Sequence, residues 1–312
     1  MSQNFRPRKI KYKKNKQLFL YFLSYMYMNN SEKIKYINID TRFRDDFCIE
    51  NHEYKISIPH EIHNVKSITI ACMEIPITFH NISSFMGNDC FYITICDTSG
   101  NDIHKCKVII PNGNYNSTSI VDMISRLLQK NENTKELSAR LNSSNIIEFI
   151  STSLDRIYSI HFTQVRVFDN NPCKTLGQML GFYSPIYTMA AADASNNIVV
   201  IADNICDFTH PRYLFLEIYE NERRNQYTFT SSLVCNQRMK HAIARIAIDQ
   251  RNFPYGSIIT ANTFNGLLIS DTRIYERPVE LRKFYVRLVN EYGVPILLND
   301  FEFSFCITAL TQ

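Results

Sequence analysis

The chain predicts an all-β fold: an antiparallel sandwich or barrel with a few short helices. Three observations lead there. Short apolar runs with period-two alternation recur along most of the 312 residues, the spacing of half-buried strands. Turn residues separate those runs at short intervals, as in antiparallel sandwiches and barrels. Aromatic content comes from 18 Tyr and 21 Phe with no Trp, and Tyr and Phe fit a pleated surface. At 45% hydrophobic and 21% charged, the chain can bury a sizeable core and lacks the composition of a disordered one.

Taken in order, KIKYINID from Lys33 alternates into Asp40. EYKISIP places Tyr54, Ile56 and Ile58 on one face, and SITIACMEIPITF is a longer run ending near Pro76; they read as separate strands. FYITICDTSGND and KCKVIIP form an expected hairpin over residues 91–111, followed by turn chemistry in PNGNY. STSIVDMISRLLQK is the one convincing helix, because Ile120, Val121, Ile124, Leu127 and Leu128 make a single apolar stripe. Ser119 with Asp122 resembles a capping box with a shortened acid. NIIEFISTS and IYSIHFTQVRVF are expected to pair as a second hairpin.

CKTLGQMLGF, with Gly177 and Gly181, reads as a tightly packed short helix or turn. The C-terminal third returns to strands: YLFLEIYEN, HAIARIAID, SIITAN, LRKFYVRLVNEYG and FEFSFCITAL. The last would put Phe301, Phe303, Phe305 and Ile307 on one face. The expected organisation is an arm at 1–30 outside the core, a β part at 31–182, a connector at 183–206 and a second β part at 207–312. A single domain over 31–312 is the alternative.

Net charge is +4, unevenly placed. The first 16 residues hold Arg6, Arg8, Lys9, Lys11, Lys13, Lys14 and Lys16 without an acid, so the remaining 27 basic and 30 acidic residues leave the body at about −3. The body is therefore not a nucleic-acid binder by charge, and the arm could touch phosphate only without sequence specificity. QLFLYFLSYMYM (17–28) follows the arm and is too short to span a bilayer. Three readings stand for residues 1–28: an unstructured or misassigned start, a membrane or partner anchor, and a signal peptide. Nine cysteines without a C-x-x-C pair, several inside apolar runs such as Cys72 and Cys306, point to buried free thiols in a reducing compartment.

Two clusters hold side chains suited to chemistry. Cys48, His52, His60 and His63 offer zinc-type ligands, but their spacing matches no common finger, and strand-end histidines are the plainer reading. No nucleophile elbow, metalloprotease helix or phosphate-cradling glycine loop occurs. KYINIDTRFRDDF crowds Asp40, Arg42, Arg44, Asp45 and Asp46 at a strand end. On a continuing strand Arg42 and Arg44 share a face while Asp45 and Asp46 point apart. That arrangement suits a solvated strand end, or an interface in which arginine forks grip carboxylates. No metal, cofactor or catalytic residue is assigned.

Several of these runs carry a resemblance. YINIDTRFRDDF, ISIPHEIHNVKSITIACMEIPITFHNIS, GNDCFYITI and VIIPNGNYNSTSIVDMI occur in an order similar to that in minor capsid proteins of nucleocytoplasmic large DNA viruses. KTLGQMLGF, PRYLFLEIYE and KFYVRLVNEYGVPILLNDFEFSFCIT resemble later motifs of that family, over about residues 35–310. The resemblance implies one elaborated or two tandem jelly-roll-type sandwiches, no catalysis, and a place in the virion assembled in host cytoplasm. It implies contact with major capsid capsomers, neighbouring shell proteins or the internal membrane; residues 6–28, which lie outside the matching part, are the candidate membrane contact by their basic and apolar composition. Arg42, Arg44, Asp45 and Asp46 would then be interface groups in an oligomeric shell. A receptor- or carbohydrate-binding sandwich is the alternative, and it would want exposed aromatics, preferably Trp.

Overall fold

The computed structural model describes residues 32–45, 53–153, 155–162, 167–168, 171–172, 174–189, 197–220, 229, 241–249 and 252–312. The elements run β1 (Lys33–Asp40), β2 (Tyr54–Pro76), β3 (Cys90–Cys96), β4 (Asp102–Ile109), α1 (Ser117–Lys130), β5 (Leu137–Leu141), β6 (Ile147–Ser151) and β7 (Ile157–His161). Next come β8 (Val167–Phe168), β9 (Asn171–Pro172), α2 (Leu176–Leu180), β10 (Ile186–Met189), β11 (Ile198–Ile201) and β12 (Tyr213–Tyr219). The chain closes with β13 (Ala242–Ala247), β14 (Ile258–Asn262), β15 (Leu268–Ser270), β16 (Arg273–Asn290) and β17 (Ser304–Thr311). Every strand pairing is antiparallel.

The two runs expected as separate strands are one 23-residue strand, β2. It stays continuous because β16 runs beside it from Tyr54 to Ile68 while its second half gains two further partners. Tyr54–Ser57 pair with Lys283–Val286 of β16, Val65–Glu74 pair with β17, and Cys72–Pro76 pair with β14 on the other edge. Between the halves the register slips repeatedly and Asn64 takes φ +58°, so the strand bends. The outcome is two four-stranded rows, β1–β17–β2–β14 and β2–β16–β12–β13, with β15 added beside β13. Their inward side chains, among them Ile37, Ile70, Met73, Leu216, Phe284 and Phe305, form one core. Two antiparallel sheets sharing a core in this order make a jelly-roll-type sandwich.

A second, smaller β body is inserted between β2 and β12. One sheet runs β10–β7–β3–β4, the other β11–β6–β5. Phe91, Tyr158, Phe149 and Phe182 fill the space between them, with Ile120, Ile124 and Leu128 of α1. The cores thus divide the chain at about residues 80 and 210, not at the expected connector 183–206. That segment carries β10 and β11, whose Met189 and Val200 are buried in the second core.

Three further expectations are corrected. β6 and β7 do not form a hairpin: β6 pairs with β5 and β11, β7 with β3 and β10. All five β6 residues are buried, so alternation could not say which sheet it joins. The capping box of α1 is Asn116 with Ser119, the Asn116 side chain accepting from the Ser119 amide at 2.8 Å. Phe301 is exposed, since β17 begins only at Ser304, whereas Phe303, Phe305 and Ile307 are buried as expected. Among the described residues no helix is long and apolar enough to cross a membrane.

Candidate functional site

The charged stretch after β1 leaves the strand at once. Asp40 caps a short 3-10 turn, Thr41–Phe43, accepting from the Arg42 amide at 3.0 Å. The turn separates the two arginines that a continuing strand would have aligned. Arg42 reaches back outside, its Nε 3.0 Å from both Asp40 oxygens. That fork holds the Asp40 carboxyl below its usual range. Arg44 turns inward, bonding the Thr41 carbonyl, the Glu302 carboxylate and the face of Tyr54. Thr41 is buried and bonds both Glu302 and the Phe303 carbonyl. Asp45 accepts from the Ser57 amide at 3.0 Å and its hydroxyl at 2.6 Å. The cluster is therefore chiefly an internal clasp joining β1, β2 and the entry to β17. Arg42 is its outward member, with 68% of its side chain exposed.

Asp46, Cys48 and His52 lie outside the described residues. Of the remaining zinc-type ligands, His60 and His63 are both exposed. The three-residue cluster of ligand types found here is Glu61, His63 and Glu280, which leaves out His60; all three are exposed.

Sequence reasoning missed a dense polar cluster at the seam between the two bodies. Lys174, just before α2, donates to Asp207 at 2.6 Å and lies 3.2 Å from His210 Nε2. His210 Nδ1 is 2.7 Å from Glu291, at the end of β16. Thr209 donates its amide and hydroxyl to the other Asp207 oxygen, and Arg212 reaches Asp207 at 3.3 Å. Burial pushes the Asp207 carboxyl up, but the bonds from Lys174 and Thr209 outweigh it and hold the group far below the usual carboxylate range. A cavity of about 40 Å³ opens beside this network, lined by Asn88, Met179, Glu291 and Tyr292 among others. Neighbouring it is a recess of about 50 Å³ between Phe79, Phe85, Pro295 and Leu297. Spaces of this size take about one or two waters, far below the roughly 300 Å³ of small-molecule sites.

Five of the described thiols are not activated as nucleophiles. Burial pushes up Cys72, Cys106, Cys206 and Cys306, and a hydrogen bond to Asp102 does so at Cys96, whereas a reactive cysteine needs its thiolate stabilised. Cys106 is buried; Cys72 and Cys306, expected inside, are only half-buried.

No protein-family model and no curated protein matches the chain. Among solved structures, the chain is similar to the mavirus penton protein, at 10% sequence identity and a TM-score of 0.45, over 91% of this chain and all of that one.

Proposed function

We propose that this chain is a structural protein of a virus shell, a minor capsid component without catalytic activity. The observation that carries the reading is where the motifs of the capsid-protein resemblance fall. They lie on framework elements: β1, the bent strand β2, the turn into α1, α2, β12, and the run from β16 into β17. KTLGQMLGF becomes a capped helix ending in Gly181 at φ +92°. There an added Cβ would meet the Asn204 carbonyl oxygen at 2.1 Å. A Cβ added at Gly177 would meet the Phe162 ring at 2.6 Å. VNEYG supplies Glu291 to the seam. These residues serve packing and connection, and where the motifs meet, beside Glu291, they line the small cavity with Asn88, Met179 and Tyr292.

The partners of such a shell protein are major capsid capsomers and neighbouring shell proteins, with the internal membrane reached through residues 6–28. Its location is the virion, assembled in host cytoplasm, and the virus class is the nucleocytoplasmic large DNA viruses. Arg42, exposed at the clasp, is the interface candidate with most freedom to reach a partner; Arg44 and Asp45 are committed within the chain. A carbohydrate-binding role has less support, given the absence of Trp.

Quantitative mass spectrometry of purified particles tests the reading. Many copies per particle are expected, co-sedimenting with the major shell protein. Detection in infected-cell lysate but never in particles would overturn it.

A further inference from the structure

Cys72 of β2 and Cys306 of β17 stand directly opposite each other in the antiparallel ladder. Their neighbours Met73 and Phe305 point into the large core, so both thiols project to the outer face of the same sheet. Both are free and half-buried. Opposed residues of an antiparallel pair hold their Cα atoms about 4.5–5.5 Å apart, within the roughly 4.4–6.8 Å that a disulfide spans. A register slip follows at once, from Cys306 opposite Cys72 to Ile307 opposite Ile70. Ala71 is thus the extra residue of a bulge, a device that re-aims neighbouring side chains.

We propose that Cys72 and Cys306 are a covalent modification site, a thiol pair that closes into a cross-strand disulfide by exchange with a small-molecule disulfide such as oxidised glutathione. The thiolate of one cysteine attacks a glutathione sulfur and expels one glutathione thiolate. The second cysteine, deprotonated, attacks the protein sulfur of that mixed disulfide and expels the other. The protein loses two hydrogens, and oxidised glutathione is reduced to two glutathione molecules. Burial and the Glu74 carboxylate hold both thiols above their ordinary range, so exchange is slow at neutral pH and quickens with alkalinity. The bond would tie the first third of the chain to its last strand. Thiols formed in a reducing cytoplasm would close on transfer to an oxidising exterior. The chemistry does not depend on the shell reading.

The test uses the full chain, purified under reduction and incubated folded with oxidised glutathione at mildly alkaline pH. Non-reducing protease digestion should yield a peptide linking Cys72 to Cys306, with two alkylatable thiols lost and the thermal midpoint raised by several degrees until reductant is added. Cys72→Ser and Cys306→Ser should each abolish the linked peptide and the midpoint shift, with circular dichroism confirming that the variants fold. Four results would overturn the proposal. Both thiols could stay alkylatable, or stop as glutathione adducts. Either could bond a third of the nine cysteines, or the link could form only in unfolded chain.

Discussion

The Arg44 guanidinium bonds the Glu302 carboxylate, 258 positions further along the chain. The two side chains are only 18% and 20% exposed, and Thr41 bonds the same carboxylate from beneath. The pair ties the end of β1 to the entry of β17, so the body closes by joining its first strand to its last.

This separates two arginines that sit two positions apart. Arg44→Ala should cost about 1–3 kcal/mol, because Glu302 loses a charged partner in a half-buried place. Arg42→Ala should cost at most about 1 kcal/mol, since its own guanidinium stands in solvent. Particle yield should order them the other way: Arg42→Glu reduces incorporation into shells while the purified chain keeps its stability. Equal midpoint losses for both variants would contradict the clasp.

The seam makes stability depend on acid. Asp207 has its folded value held below the unfolded one of about 3.9. Its contribution is thus complete above the unfolded value and is lost as pH falls toward the folded one. Urea midpoints measured from about pH 6 down to about pH 2 should fall steeply in the parent. The fall should be shallower in Asp207→Asn, which is already less stable at neutral pH. Parallel curves would show that Asp207 is not an acid-sensitive tie.

Two glycines give an internal comparison. Gly100 has φ +85° with nothing within 4 Å of an added Cβ, while Gly181 has φ +92° and the Asn204 carbonyl in the way. Gly100→Ala should therefore cost only the left-handed term, about 1–2 kcal/mol. Gly181→Ala adds a collision with backbone, for roughly 3 kcal/mol or more. Thermal midpoints of the two variants measure the difference directly.

What the sequence made legible was local. The period-two runs located β1, β3, β4, β12, β13 and β17, and the apolar stripe located α1, because those signals need no knowledge of partners. Partner choice was not legible. β6 and β7 lie a few residues apart yet enter opposite sheets, and both runs are apolar enough to pair with either. The insertion was hidden for the same reason, since β10 and β11 are four residues each beside a run of small polar residues. The seam was not legible as a site: Lys174, Asp207, His210 and Glu291 come from three separate segments, and only folding brings them together. At the opening cluster, the Asp40 cap that ends β1 overturned the strand geometry assumed for Arg42 and Arg44. Asp followed by a turn was the available signal.

The outer face of β12 holds a buried carboxylate balanced by one arginine. Glu217 is fully buried, bonded by Arg287 Nε at 2.9 Å, with its second oxygen lacking a partner. Burial drives the Glu217 carboxyl up against the pull of Arg287. Arg287 itself lies over the Tyr219 ring at 5.8 Å and keeps 31% of its side chain exposed. Removing the arginine alone strands a carboxylate in an apolar setting, so Arg287→Met should cost about 3–5 kcal/mol. Replacing both, as Glu217→Leu with Arg287→Met, removes the desolvation penalty along with the attraction and should return most of that loss. A double-mutant cycle by chemical denaturation should then show strong non-additivity, the double variant more stable than Arg287→Met alone. A double variant as unstable as the sum of the singles would mean that packing around the pair, not its charge balance, sets the stability of this face.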